Sequence, residues 1–183
     1  MYDQYLIIIG AGAEQEKVYH LAKNMGLRIL STDINPKAHC VKFSDKFVKA
    51  STRDPKQTID ELEAANVVKP LGVITLANDV PLTVSRVAEH FGLPAMSIEA
   101  AERFASKTLM KQALIEAGVL TARYKVVESY SDACQFMQEV NVASYIIKPN
   151  DGRGSLGVRF FGRGEFTLAL FDEVLTIANG DAI

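Results

Sequence analysis

The stretch best equipped for chemistry is Ile146-Ile147-Lys148-Pro149-Asn150-Asp151-Gly152-Arg153-Gly154-Ser155-Leu156-Gly157-Val158. A lysine closes an apolar run, glycines at the spacing G-x-G-x-x-G follow, and Val158-Arg159-Phe160-Phe161 then resumes an apolar run. A loop joining two strands is not the strand-to-helix turn of a dinucleotide fold, and without G-K-[ST] it is not a P-loop. Glycines remove the side chains that would keep backbone N–H groups off a phosphate, as in the glycine-rich loop of protein kinases. Lys148 would bring a point charge to the same phosphates. The competing reading is a merely mobile turn.

Three further places could do chemistry. Lys107 and Lys111, four apart, share a helix face away from the stripe Leu109, Met110, Ala113 and Leu114; alone they read as solvated lysines. Gly10-Ala11-Gly12-Ala13-Glu14-Gln15, with Asp33 about twenty residues on, approaches the fingerprint in which glycines admit a pyrophosphate and an acid takes the ribose. Gln15 stands where the third glycine belongs and Glu14 adds negative charge, so a plain tight turn competes with NAD binding. Asn78-Asp79 follows an apolar run on what would be the crevice side of a sheet, where the pair could hold a small substrate or cap the next helix. His20, His39 and His90 have no ligand spacing, and Cys40 and Cys134 read as reduced thiols.

These residues need elements to hold them. Tyr5–Ile9 reads as a strand buried on both faces, followed by a helix with Val18, Leu21, Ala22 and Met25 as its apolar stripe, and by a strand at Arg28–Thr32. Asp54 and Pro55 open a second helix with Ile59 and Leu62 inward, Leu71–Thr75 is a strand, and Pro81 opens a third helix. This alternation predicts an α/β fold, a Rossmann-like doubly wound parallel sheet over residues 1–100. Residues 101–183 change order: two helices in succession, a strand at Tyr124–Val127, a helix at Ser131–Val140, strands at Tyr145–Lys148 and Val158–Phe161, and a last helix near 165–178. That predicts a small, incomplete α+β subdomain.

The 183 residues, 48% hydrophobic with a formal charge of -2, fit a globular chain with no basic stripe for nucleic acid. The N-terminus has no basic segment and its apolar run is too short for a signal or a membrane span, so a cytoplasmic protein is expected.

Taken together, Ser106-Lys107-x-x-Met110-Lys111-x-x-Leu114, then Ala117-Gly118-Val119-x-Thr121-x-x-Tyr124, then Ile147-Lys148-Pro149 and the loop 151–158 resemble the entry half of an ATP-grasp domain. Residues 1–100 resemble the Rossmann-like domain that precedes it in carbamoyl phosphate synthetase large subunits and biotin carboxylase. The resemblance implies that Lys107 and Lys148 contact ATP phosphates and that Gly152, Arg153, Gly154, Ser155 and Gly157 cover them. It places Gly12, Asn78 and Asp79 on the substrate side. It implies an ATP-dependent carboxylate–amine ligase that forms an acyl phosphate, with Mg²⁺ neutralising the transferred group. The acidic and asparagine ligands for Mg²⁺ are not met before Ile183, so the expectation is a front portion of such an enzyme, inactive alone, completed by a C-terminal lobe or self-associating. The alternatives are an NAD-binding module and a non-catalytic subunit of a split enzyme.

Overall fold

The run Tyr5-Leu6-Ile7-Ile8-Ile9 offers no polar face to water, and it becomes the inner strand β1 (Tyr5–Ile9), with Ile7, Ile8 and Ile9 fully buried. In the computed structural model, which describes residues 4–150 and 154–178, β1 lies between β2 (Arg28–Asp33) and β4 (Gly72–Ile74). A further strand, β3 (Lys46–Lys49), extends the parallel sheet to the order β3-β2-β1-β4. Helices α1 (Glu16–Asn24), α2 (Pro55–Ala64), α3 (Pro81–His90) and α4 (Ile98–Ala105) complete a first compact unit, Met1–Ala105.

Alternate side chains of β1 feed two cores. Ile7 and Ile9 pack with Leu30, Val48, Leu62, Val73 and Val87, which brings in α2 and α3. Ile8 packs with Ile29, Tyr19, Ala22 and Cys40, which brings in α1. The doubly wound α/β arrangement expected from the alternation of strand and helix is therefore present. Asp54 caps α2 as its sequence implies, its carboxylate accepting from the Gln57 amide at 2.9 Å.

The stripe expected on α1 is buried only in part: Ala22 is in the core and Val18 packs against it. Leu21 and Met25 face outward, 60% and 67% exposed, and Tyr19 with Ala22 takes the inner face. A tyrosine can occupy that position because its hydroxyl donates to the Gly10 carbonyl at 2.8 Å, so its polar end is not stranded. The first unit runs to Ala105, five residues past the boundary at 100, because α4 packs on α3.

The second unit, Ser106–Ile183, contains α5 (Lys107–Glu116), α6 (Tyr130–Val140), β5 (Ser144–Ile147), β6 (Arg159–Gly162) and α7 (Leu168–Ile177). β5 and β6 form an antiparallel pair, with Ile147 opposite Arg159 and Tyr145 opposite Phe161. Its core gathers Val127, Ala133, Ile147, Phe161, Phe166, Phe171 and Val174, and Phe161 stacks on Phe166 with ring centroids 4.9 Å apart. The strand expected at Tyr124–Val127 does not form; no ladder joins that segment to β5 or β6. No residue of α5 is buried. Among the described residues no helix is long and apolar enough to cross a membrane.

The two orientations of leucine give a stability test. Leu62→Ala, at a fully buried site, should cost about 2–5 kcal/mol in urea unfolding, whereas Leu21→Ala should change stability by less than about 0.5 kcal/mol.

Candidate functional site

Helix α5 begins with amides that need acceptors, and two side chains supply them. Ser106 is the N-cap and accepts from Leu109 N at 3.3 Å. Asn150, two residues after Lys148, reaches across to accept from Thr108 N at 3.0 Å and from Thr108 Oγ1 at 2.8 Å through its Oδ1. Its carbonyl accepts from Lys107 Nζ at 3.0 Å. The start of α5 and the chain just past β5 are thereby fastened together, which brings Lys107 and Lys148 to one place.

That place is a cavity of about 480 Å³ within the second unit. Lys107, Lys111, Arg123, Lys125 and Lys148 all line it, and among the described residues no aspartate or glutamate does. Apolar walls come from Val127, Phe136, Met137, Ile146, Phe160 and Phe166. Besides Lys107, two of the cations are committed to local partners. Lys111 donates to Thr121 Oγ1 and to the Ala122 carbonyl at 3.2 Å, with its ammonium 5.9 Å from the centre of the Tyr124 ring. Lys125 pairs with Asp132, whose carboxyl that ammonium holds below the usual carboxylate range. Lys148 is half-buried and has no hydrogen bond or ion pair among the described residues.

The glycine-rich loop is less uniform than its sequence implies. Gly152 and Arg153 lie outside the described residues. Gly154 (φ +56°) and Ser155 (φ +61°) adopt left-handed conformations, and a Cβ on Gly154 would meet open space. Gly157 (φ +74°) is buried, and a Cβ there would lie 2.8 Å from Pro149 Cγ and 3.0 Å from Ile177 Cγ2. Gly157 therefore packs the base of the loop, and neither it, Gly154 nor Ser155 lines the cavity.

In the first unit the crevice at the switch point between β1 and β4 is closed by its own side chains. Gln15 is fully buried. Its Nε2 donates to the Ile9 carbonyl at 3.1 Å and its Oε1 accepts from Leu76 N at 3.1 Å, so one amide bridges the ends of both strands. A Cβ on Gly10 would lie 2.1 Å from Gln15 Nε2 and 2.9 Å from Asn78 Nδ2, and one on Gly12 would lie 2.1 Å from Glu14 Oε1. The room that a pyrophosphate needs above these glycines is filled by Gln15, Asn78 and a carboxylate. Asp33 is also engaged, accepting from Ala11 N at 2.8 Å and Asn35 N at 2.9 Å. Neither Asn78 nor Asp79 caps α3, whose N-cap is Val80 with no side-chain bond.

Asn150 and Gln15 are the two residues that reading by motif passes over. Asn150 sits inside the loop motif but acts on a helix 42 residues earlier, and Gln15 looks like a missing glycine when it is the strut of the turn. Among the described residues no group of three or more His, Cys, Asp or Glu side chains is placed to hold a metal ion.

No family model matches the chain. The uncharacterized protein y4rH of Sinorhizobium fredii is 30% identical over 88 residues, 48% of this chain and 18% of that protein. Among solved structures, phosphoribosylglycinamide synthetase from Anaerococcus prevotii aligns with a TM-score of 0.65 at 24% identity, covering 95% of this chain and 42% of its own. N5-carboxyaminoimidazole synthetase from Staphylococcus aureus, complexed with ADP, gives 0.73 at 15%, covering 98% and 46%. L-amino acid ligase from Bacillus licheniformis gives 0.67 at 18%, covering 95% and 42%. Over nearly its whole length the chain is similar in fold to ATP-grasp enzymes, and it spans less than half the length of the solved structures named here.

The Asn150 bridge predicts a graded response. Asn150→Ala should lower stability by about 0.5–2 kcal/mol in denaturant unfolding, while Asn150→Asp, which keeps both acceptors and places a negative charge at a helix N-terminus, should cost less than half as much.

Proposed function

We propose that the second unit holds the phosphates of ATP and that the chain is the front portion of an ATP-dependent carboxylate–amine ligase. The observation that carries this is the cavity whose described lining holds five cations and no carboxylate, with Lys107 and Lys148 drawn together by Asn150. A triphosphate is the small ligand that such a charge set suits, and apolar walls on Ile146, Phe136 and Phe160 suit a flat base. Two synthetases and a ligase of the same fold, one of them complexed with ADP, support the reading.

Lys148, at the end of β5, is the principal phosphate contact, and Lys107 is the second. Gly154 and Ser155, with Gly152 and Arg153, form the cover over the phosphates, and Gly157 is its fixed base. On the substrate side we place Gly12, Asn78 and Asp79 at the crevice of the first unit. Positive charge fixed at the transferring phosphoryl group stabilises its transition state without reorganisation, and that is the part these lysines take. Among the described residues the lining offers no carboxylate to hold a magnesium ion, and no metal step is assigned to these residues. A carbamoyl phosphate synthetase-like substrate is the finer form of the same reading.

Titration calorimetry with ADP tests it. Lys148→Met should weaken binding about tenfold or more, the loss of a charge-assisted contact of ~1.5 kcal/mol or more. Unchanged ADP affinity in Lys148→Met, or NADH binding that Asp33→Ala abolishes, would overturn it.

A further inference from the structure

The loop between β4 and α3 is held at both ends and strained between them. At one end Leu76 N donates to Oε1 of the buried Gln15 at 3.1 Å, and at the other Val80 is buried and opens α3. Between these points Ala77 sits at φ +52°. Four non-glycine residues have positive φ among the described residues, and Ala77 is the one with no polar side chain to ease that conformation. A left-handed alanine persists only where its surroundings impose it. Two further demands are unmet. No side chain accepts from the first-turn amides of α3. Asp79, just ahead of Val80, is exposed and has no hydrogen bond or ion pair among the described residues, although a carboxylate is the group that a helix start favours. Asn78 lies half-buried, its Nδ2 2.9 Å from where a Cβ on Gly10 would stand, and its side-chain amide likewise has no partner among the described residues. Within the loop, Val80 N donates to the Asn78 carbonyl at 2.9 Å.

We propose that residues 76–80 are a two-position loop. In the first position, the one in this structure, Ala77 is left-handed and Asn78 lies beside Gly10. In the second, Ala77 returns to negative φ, Asn78 leaves Gly10, and the Asp79 carboxylate accepts from the first turn of α3. The Gln15 clamp serves both positions, because it acts on Leu76, ahead of the hinge. The first position is the populated one, yet it carries a strained alanine and a bare helix start, and the second removes both costs. The second is therefore a minor state close above the first. A small molecule that hydrogen-bonds the idle Asn78 amide selects the first position, to the extent that it binds that position better. This role rests on the placing of Asn78 and Asp79 on the substrate side, whereas the two positions stand without it.

Relaxation-dispersion NMR on the full chain tests the proposal, and it is read without nucleotide or substrate, so its outcome is separate from that of the ADP titration. The unaltered chain should show microsecond-to-millisecond exchange at the amides of residues 76–80 and at Leu82 and Thr83 in the first turn of α3. Ala77→Gly, which lifts the penalty on the first position, should lower the population of the second about threefold or more. Asp79→Ala, which removes the carboxylate that the second position needs, should lower it about as much. A flat dispersion profile at these amides in the unaltered chain, or exchange that either variant leaves unchanged, would overturn the proposal.

Discussion

One asparagine side chain sets the geometry of the second unit. Asn150 accepts from the Thr108 amide and hydroxyl, and its carbonyl accepts from Lys107, so the first turn of α5 is fixed to the residue that follows Lys148-Pro149. Without that tie, α5 has little to hold it, since none of its residues is buried. With it, lysines from a helix and a strand 41 positions apart line one cavity. Pro149 serves the same end: it is buried, and Gly157 lies so close to it that only glycine fits.

The first unit depends on a comparable strut. Gln15 fills the space above the glycine turn, joining the Ile9 carbonyl at the end of β1 to the Leu76 amide just past β4. A buried amide with both ends satisfied stiffens the place where a doubly wound sheet opens its crevice. Asp33 is drawn into the same turn through Ala11 N. The turn that resembles a dinucleotide fingerprint is therefore filled by its own side chains, with Asn78 beside Gly10.

The sequence and the structure agree where pattern follows from burial. The run Tyr5–Ile9 has only one reading, and Asp54-Pro55 states a helix start in two residues. They differ where the decision is made at a distance. Leu21 and Met25 fit an apolar stripe with Val18 and Ala22, yet Tyr19 takes the inner face beside Ala22, where the Gly10 carbonyl gives its hydroxyl a partner. β3 carries a single buried residue, Val48, too little for a period to show. Tyr124–Val127 has the composition of a strand but joins no ladder among the described residues. Spacing alone made Lys107 and Lys111 read as solvated lysines, and only the family resemblance joined Lys107 to Lys148; Arg123 and Lys125 were not singled out, because their position follows from how that segment lies along the cavity.

A crystal structure of the chain with ADP tests the central claim most directly. The account predicts phosphate density within hydrogen-bonding reach of Lys148 Nζ and Lys107 Nζ, with the base against Ile146 and Phe160. Nucleotide bound instead at the Gly10–Gln15 turn with its ribose on Asp33, or ordered nowhere near Lys148, would contradict it.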